Sequence, residues 1–337
     1  MVHVPLLKVR YAIAFIHAAE AHGANGNKLL AGVGLRANVL EMPEAWMSYS
    51  QFAYLIEAAI AKTGCHTLGL EAGIAPRSSH SEFSKLTLRA PMLYQSLNRI
   101  CANSSREDTS ARFRLRQNGK HAWLKCGSIA ATDEAVRQIE TYRYAALVAV
   151  IRCAAGPDWL PAHANFQSTA SEHVAHSALL SGVAVEFGQT ELSIEIAPTL
   201  LGRAMSDVPD VPVRPSKYSQ QPIEFVESLR EVIRTGLLAG TANLDTTART
   251  ISLSRRTLQR TLSEYGLTYS QLLEEVKLEL AKSWLEKDGK PIAEIACDLG
   301  YTYSTHFTRA FRRMSGISPS EFRDVIRGDV GEYHVSG

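Results

Sequence analysis

The 337-residue sequence contains no apolar run approaching the ~18 residues a membrane-spanning helix needs. Its longest apolar stretch, around Ala145–Ile151, is flanked by Arg143 and Arg152 and reads as a core helix. The N-terminus lacks the charged, apolar and small-residue order of a signal peptide, so a soluble, cytoplasmic protein with no membrane partner is expected. Cysteine is sparse: Cys65, Cys101, Cys126, Cys153 and Cys297 are odd in number, and none stands in a Cys-x-x-Cys pair. That pattern argues against a disulfide framework and against a cysteine-based zinc site. His17, His22, His66, His80, His163, His173 and His176 show no metal-ligand spacing that stands out. His173 and His176 are an i, i+3 pair, but no thiol or carboxylate pattern completes a site, so neither a metal nor a cofactor is expected. No Ser/His/Asp or Cys/His arrangement has a recognisable catalytic context, and the chain is not expected to be an enzyme. Charge of one sign is also missing. The net charge is only +2, so any surface for a polyanion must come from local clustering of Arg and Lys.

What is present suits two folded domains. Hydrophobic residues make up 45% and charged residues 21%, ordinary for a globular chain of this length. Val9–His22 has helical periodicity and ends at Gly23. Ser48 with Gln51 forms a capping-box pattern ahead of Phe52–Ile60, and Gly64 stops that helix. Pro91 fits the first turn of a helix running to about Cys101. Ala111–Gln117 and Lys120–Cys126 flank Asn118-Gly119, a strong hairpin signal because a type I′ turn needs positive φ at both central residues. Asp133–Ala155 reads as a long helix closed by Gly156-Pro157. Val183–Phe187 and Glu191–Ile196 read as a second hairpin around Gly188. Pro209, Pro212, Pro215 and Pro222 then interrupt a polar stretch that resists helix and strand alike. The expected architecture is an α+β N-terminal domain (1–205), a linker (206–220) and an all-α C-terminal domain (221–328) with two helix-turn-helix units.

The C-terminal third carries an internal repeat. Its first copy is LSRRTLQRTL (Leu253–Leu262) followed by Gly266, and its second is YSTHFTRAF (Tyr303–Phe311) followed by Gly316. Each copy follows a short helical segment of apolar and small residues: Leu244, Ala248 and Ile251, then Ile292, Ile295, Ala296 and Leu299. That is two helix-turn-helix units in tandem. Ser254 is expected to cap the first recognition helix and Thr302 the second. Leu258, Leu262 and Tyr265 should face one core, and Phe307 and Phe311 the other. Ser254, Arg255, Arg256, Gln259, Arg260 and Ser263 are left outward on the first helix. Ser304, Thr305, Thr308, Arg309, Arg312 and Arg313 are left outward on the second. Arg reads guanine O6/N7, Gln reads adenine N6/N7, and spare cations neutralise phosphate, so such faces suit major grooves. Arg312 and Arg313 are expected at phosphate rather than at base edges. Between the units, Tyr269–Lys287 places Leu272, Leu273, Val276, Leu280 and Trp284 on one stripe, a stiff spacer. Rigid tandem units place two helices in successive grooves about 34 Å apart.

The strings SRRTLQR (Ser254–Arg260), IAEIACDLGY (Ile292–Tyr301), FTRAF (Phe307–Phe311) and GISPSEFR (Gly316–Arg323) resemble the AraC/XylS DNA-binding domain over about a hundred residues. Position by position, the resemblance implicates Arg256, Gln259 and Arg260, then Ser304, Thr305 and Arg309, in base contacts. Tyr303 stands where that family commonly has Asp, and Lys277 where it commonly has Arg. The resemblance implies a transcription regulator whose partners are double-stranded promoter DNA and, for an activator, RNA polymerase. An enzyme fused to such a module, as in alkylation-repair proteins, would need an acceptor cysteine in a Pro-Cys-His-Arg-like setting, which none of the five has.

Lys62-Thr63-Gly64, Leu68-Gly69-Leu70, Val185–Gly188 and Leu200-Leu201 resemble the arabinose-binding-type sensor domain of one branch of that family, although Cys65-His66 replaces the usual Asp-Pro. That implies a domain binding a small effector of unknown class and forming a homodimer. The alternative is a domain that dimerises without any effector. For an effector site the residues offer Arg114, Arg116, His121 and Trp123. Arg112, Arg114 and Arg116 alternate with Phe113 and Leu115, which sets them on one strand face. A merely solvated strand face shows the same alternation.

Overall fold

The computed structural model describes residues 4–74, 87, 89–127, 131–206, 225–287 and 289–327. Apart from Ser206, the expected linker 206–220 lies outside the described residues. The chain divides into two compact units: unit 1 comprises Met1–Val33 and Leu40–Ser228, and unit 2 comprises Gly34–Val39 and Leu229–Gly337. Among the described residues, no helix is long and apolar enough to cross a membrane.

Unit 1 is α+β. It runs β1 (Leu6–Lys8), α1 (Val9–Ala21), α2 (Gly26–Gly32), β2 (Trp46–Ser48), α3 (Tyr49–Thr63), α4 (Leu68–Ile74), α5 (Leu93–Asn103), β3 (Arg112–Asn118), β4 (His121–Gly127), α6 (Asp133–Ala155), β5 (His163–Asn165), α7 (Glu172–Ala175), β6 (Ala184–Glu186), β7 (Leu192–Ile196) and α8 (Pro198–Leu201). The capping box forms as expected: Ser48 Oγ accepts from Gln51 N at 3.1 Å, and Gln51 Oε1 accepts from Ser48 N at 3.2 Å. Gly64 ends α3 at φ +67°, a left-handed value that favours glycine. Thr132 caps α6, with Asp133 and Glu134 in its first turn and Arg152 in its last, each sign at the matching end of the helix dipole. Pro91 lies outside its helix, because α5 begins at Leu93 with Met92 as N-cap.

β1 and β2 pair antiparallel, while the main sheet has the order β3-β4-β7-β5-β6. In the β3–β4 hairpin Asn118 pairs with His121, so the two turn residues are Gly119 and Lys120. Gly119 has φ +56°, and Lys120 is not in the positive-φ region. The turn thus needs glycine at its first position only, the II′ requirement, and not the expected Asn118-Gly119 turn. The expected second hairpin is not one. β5 inserts between its two strands, pairing parallel with β6 and antiparallel with β7. Three-residue β5 is too short to leave a periodic signal.

The inner sheet face carries Ala122, Leu124, Cys126, Leu192, Ile194 and Ile196, all buried against Tyr144, Val148 and Ile151 of α6 and Leu93 and Leu97 of α5. α4 lies unusually close to α6. A Cβ on Gly69 would stand 2.1 Å from Gln138 O, and one on Gly73 would stand 2.6 Å from Tyr142 O. Those i, i+4 glycines let two backbones meet, which gives the Leu68-Gly69-Leu70 string a packing role.

Unit 2 is helical: α9 (Phe225–Leu238) from Leu229 onward, α10 (Leu244–Thr250), α11 (Arg255–Glu264), α12 (Tyr269–Glu286), α13 (Ile292–Asp298), α14 (Ser304–Ser315) and α15 (Pro319–Arg327). Leu272, Val276, Leu280 and Leu285 bury one stripe of α12. Arg230 and Arg234 on α9 pair with Glu275 and Glu279 on its flank.

Candidate nucleic-acid interface and sensor cavity

The two helix-turn-helix units are α10–α11 and α13–α14. Their turns match bond for bond. Ser252 N donates to Arg249 O and Leu253 N to Ala248 O, as Gly300 N does to Cys297 O and Tyr301 N to Ala296 O. The shared conformation is left-handed at the corner, with φ +57° at Ser252 and +79° at Gly300. Ser252 is the costly version, since a left-handed conformation costs a residue with a Cβ roughly 1–2 kcal/mol. After the corner the second turn is one residue longer. Ser254 therefore caps α11, accepting from Thr257 N at 3.1 Å, whereas the N-cap of α14 is Tyr303 and not Thr302. Tyr303 makes no side-chain capping bond and is 63% exposed. An Asp there would supply the missing acceptor.

Leu258 and Leu262 are fully buried, and Phe307 and Phe311 nearly so. Tyr265, expected in the core, is 41% exposed because it lies past the end of α11, and Thr261 fills the inner face instead. Phe311 meets Phe307 and Phe322 edge-on at 5.7 and 5.5 Å. The Ser318–Arg323 segment is a capping box: Ser318 N donates to Glu321 Oε2 at 2.6 Å, and Glu321 N to Ser318 Oγ at 3.3 Å. Those bonds hold the Glu321 carboxyl below its ordinary range. Arg323 donates to Lys290 O at 2.6 Å, tying α15 to the start of the second unit. Lys277 of α12 sits 4.2 Å from the centre of the Tyr301 ring, and the Tyr301 hydroxyl donates to Glu274 at 3.1 Å.

With the inner faces packed this way, Ser254, Arg255, Arg256, Gln259 and Arg260 are all exposed on α11. On α14, Ser304, Thr305, Arg309, Arg312 and Arg313 are exposed and Thr308 is half-buried. Exposed His306 joins that surface, edge-on to Tyr303, and was not anticipated. Arg255 reaches Asp245 at 3.6 Å and Arg260 reaches Glu264 at 3.9 Å. Among the described residues Arg256, Arg309, Arg312 and Arg313 form no ion pair, which leaves their charge for an external anion.

Unit 1 holds a cavity of about 290 Å³ among α1, α3, α4, α6 and β3. Much of its wall is apolar, including Ile13, Ala14, Phe52, Phe113, Ile139 and Val150. Its polar groups form a buried network. Arg143 donates to Asp108 Oδ2 at 2.6 Å and to the Tyr49 hydroxyl at 2.7 Å, and that hydroxyl donates to Asp108 Oδ2 at 3.1 Å. Arg10 stands 3.1 Å from Glu107 and also pairs with Glu44. Burial pushes the Glu107 carboxyl up to about 7, against the pull of Arg10 and with a smaller push from Glu44. Burial also raises the Tyr11 and Tyr49 hydroxyls far above their ordinary range.

Residues 247–324 match the family model of a helix-turn-helix domain. Residues 23–205, more than half of the chain, match that of the arabinose-binding domain of AraC transcription regulators, N-terminal. The chain belongs to the AraC family of transcription regulators. It is 26% identical over 328 residues to the ornithine utilization regulator of Pseudomonas aeruginosa, covering 95% of this chain and 97% of that protein. It is 30% identical over 148 residues to the transcriptional regulator VirS of Mycobacterium tuberculosis, 42% of this chain and 44% of that protein. Among solved structures, the DNA-binding domain of AdpA in complex with a target DNA is 28% identical at a TM-score of 0.27, covering 31% of this chain and 96% of that one. These relatives and families are regulators and not enzymes, and the chain is an AraC-type DNA-binding transcription regulator with an arabinose-binding-like N-terminal domain.

In this AraC-family chain the residues expected at an effector site lie apart from the cavity. Arg114 pairs with Glu191 at 2.5 Å, and His121 pairs with Glu195. Arg116 and Trp123 line a separate, more open hollow of about 470 Å³ on the outer sheet face with Lys125, Asn165 and Ser193. The network of Arg10, Tyr49, Glu107, Asp108 and Arg143 escaped sequence reasoning because its members come from α1, α3, the segment before β3, and α6. The one available signal was Arg143 on the apolar stretch of α6, a charge that a buried helix face must compensate.

Proposed function

We propose that the chain is an effector-controlled promoter-binding regulator in which α11 and α14 enter successive major grooves. The observation that carries this reading is the pairing of two exposed polar faces, each held by a separately packed core. Arg256, Gln259 and Arg260 contact bases from α11, and Ser304, Thr305 and Arg309 from α14. Ser254, Arg255, Thr308 and Arg313 stand beside them toward the backbone. The footprint is about two helical turns. Base-pair-resolution footprinting of the full chain, with Arg256→Ala and Arg309→Ala alongside, tests it. Loss of protection confined to one half of the site per variant supports separate grooves. Uniform loss from both variants reassigns the residues to phosphate.

The effector occupies the cavity of unit 1. A pocket that presents carboxylates and guanidiniums within an apolar wall suits a small zwitterion, and a full-length relative is named for ornithine utilization. Ornithine and other amino acids therefore head the panel for thermal melts of the full chain. A ligand at a hundred times its dissociation constant adds about 2.7 kcal/mol to the unit that binds it, a shift of several degrees. Binding there changes how the chain dimerises or engages promoter DNA and, for activation, RNA polymerase. A flat panel with a stable dimer would replace this reading with a domain that only dimerises.

A further inference from the structure

Three residues far apart in sequence converge at the helix ends of unit 1. His22 follows the last turn of α1, Cys65 follows Gly64 at the end of α3, and Glu71 lies in the first turn of α4. The imidazole, thiol and carboxylate ligand atoms all lie within 4.8 Å of one another. His22 Nε2 is 2.7 Å from Glu71 Oε2, and Cys65 Sγ donates to Glu71 Oε1 at 3.3 Å. Thr67 Oγ1 donates to the same Oε1 at 2.9 Å and stands 3.3 Å from Sγ, so a fourth side chain orients two of the three ligands. The His22 and Glu71 side chains are 39% and 36% exposed, which leaves one side of the cluster open to water.

We propose that His22, Cys65 and Glu71 form a divalent metal site, zinc by its donor set, with water as fourth ligand. One nitrogen, one sulfur and one oxygen donor suit a borderline-soft ion better than magnesium or calcium, which take oxygen. Tetrahedral bonds of about 2.0–2.3 Å set ligand atoms roughly 3.3–3.8 Å apart, so the cluster reaches this geometry by shifts of about an ångström or less. Binding forms the Zn–S, Zn–N and Zn–O bonds, breaks the thiol S–H bond and releases that proton to solvent. His22 binds through the Nε2 lone pair, with its remaining proton on Nδ1. The ion would tie together the ends of α1, α3 and α4. Ala72 and Gly73, immediately after Glu71, line the cavity, so the site stiffens one of its walls. This inference is independent of what the cavity binds.

The test is a cobalt titration of the metal-stripped full chain, since cobalt reports its ligands by absorption. The expected result is a thiolate-to-cobalt charge-transfer band with strong four-coordinate ligand-field bands, saturating at one ion per chain. One proton should be released per ion above the imidazole range of about 6.5. Cys65→Ser abolishes the charge-transfer band, and His22→Gln weakens cobalt binding by about tenfold or more while leaving the fold intact. Absence of the band at stoichiometric cobalt overturns the site. So does a band that survives in Cys65→Ser, or an affinity unchanged in His22→Gln.

Discussion

Unit 1 buries Lys8, Glu107, Asp108, Glu140 and Arg143, whereas the buried polar residues described in unit 2 are the threonines Thr235, Thr247 and Thr261. Unit 2 has no charged residue among its described buried side chains, so water solvates its ionised groups. Its stability rests on Leu, Phe and capping bonds. Unit 1 instead accepts the cost of burying five ionisable side chains, each with an explicit partner. Glu140, for example, accepts from Gln167 N at 2.7 Å and Ser168 N at 2.9 Å. A core selected for stability alone has little reason to hold such groups, because well-packed apolar replacements are often as stable. Three of the five, Glu107, Asp108 and Arg143, line the cavity, which points to the cavity as the reason they are kept.

The largest expected effect breaks unit 1 alone. Asp108→Ala leaves the Arg143 guanidinium buried without its carboxylate and should destabilise unit 1 by about 3–5 kcal/mol. Amide exchange across the full chain checks it: protection should fall in α6 and β4 and persist in α12. Equal loss in both units would remove the contrast.

Next comes a pH dependence peculiar to unit 1. The folded Glu107 carboxyl lies at about 7, above its unfolded value, so its contribution to stability is complete at acid pH and is lost as pH rises through neutrality. Glu107→Gln should therefore match the wild type near pH 4.5 and exceed it by about 2–4 kcal/mol above pH 7. Melts of both proteins between about pH 4.5 and 8 measure the difference. A gap that does not grow with pH would show that the carboxyl is not held neutral.

The counterpart in unit 2 separates binding from stability. Arg256→Ala and Arg309→Ala should each cost about 1–3 kcal/mol in DNA affinity while stability stays within about 0.5 kcal/mol. Titrations against operator variants, paired with unfolding curves, give both numbers. The smallest effects compare the two recognition helices. Ser254→Ala should cost about 1 kcal/mol by removing a cap, and Tyr303→Asp should add up to about 1 kcal/mol by supplying one. Equal and opposite shifts in urea midpoint would confirm that the caps, and not the cores, distinguish the two units.

Much of unit 2 was legible in the sequence because its determinants are local. Leu258 and Leu262, and Phe307 and Phe311, repeat at helical spacing, and Ser254 precedes its helix. Tyr303 displaced Thr302 as cap only because one extra residue follows the corner of the second unit, a length difference that helix periodicity does not register. In unit 1 the long helix α6, the capping box at Ser48 and the alternation on β3 were equally visible. The insertion of β5 between β6 and β7 was not, because three residues of backbone pairing carry no side-chain period. What the sequence determined by itself was most features whose partners lie within a turn or two along the chain: the caps at Ser48 and Ser254, the amphipathic stripes and the two exposed polar faces. Only the tertiary structure decided the sheet order, the cavity around Glu107 and Arg143, and the meeting of His22 with Cys65 and Glu71. Those depend on which helices approach closely, and that is settled by long-range packing such as the glycine contact of α4 with α6.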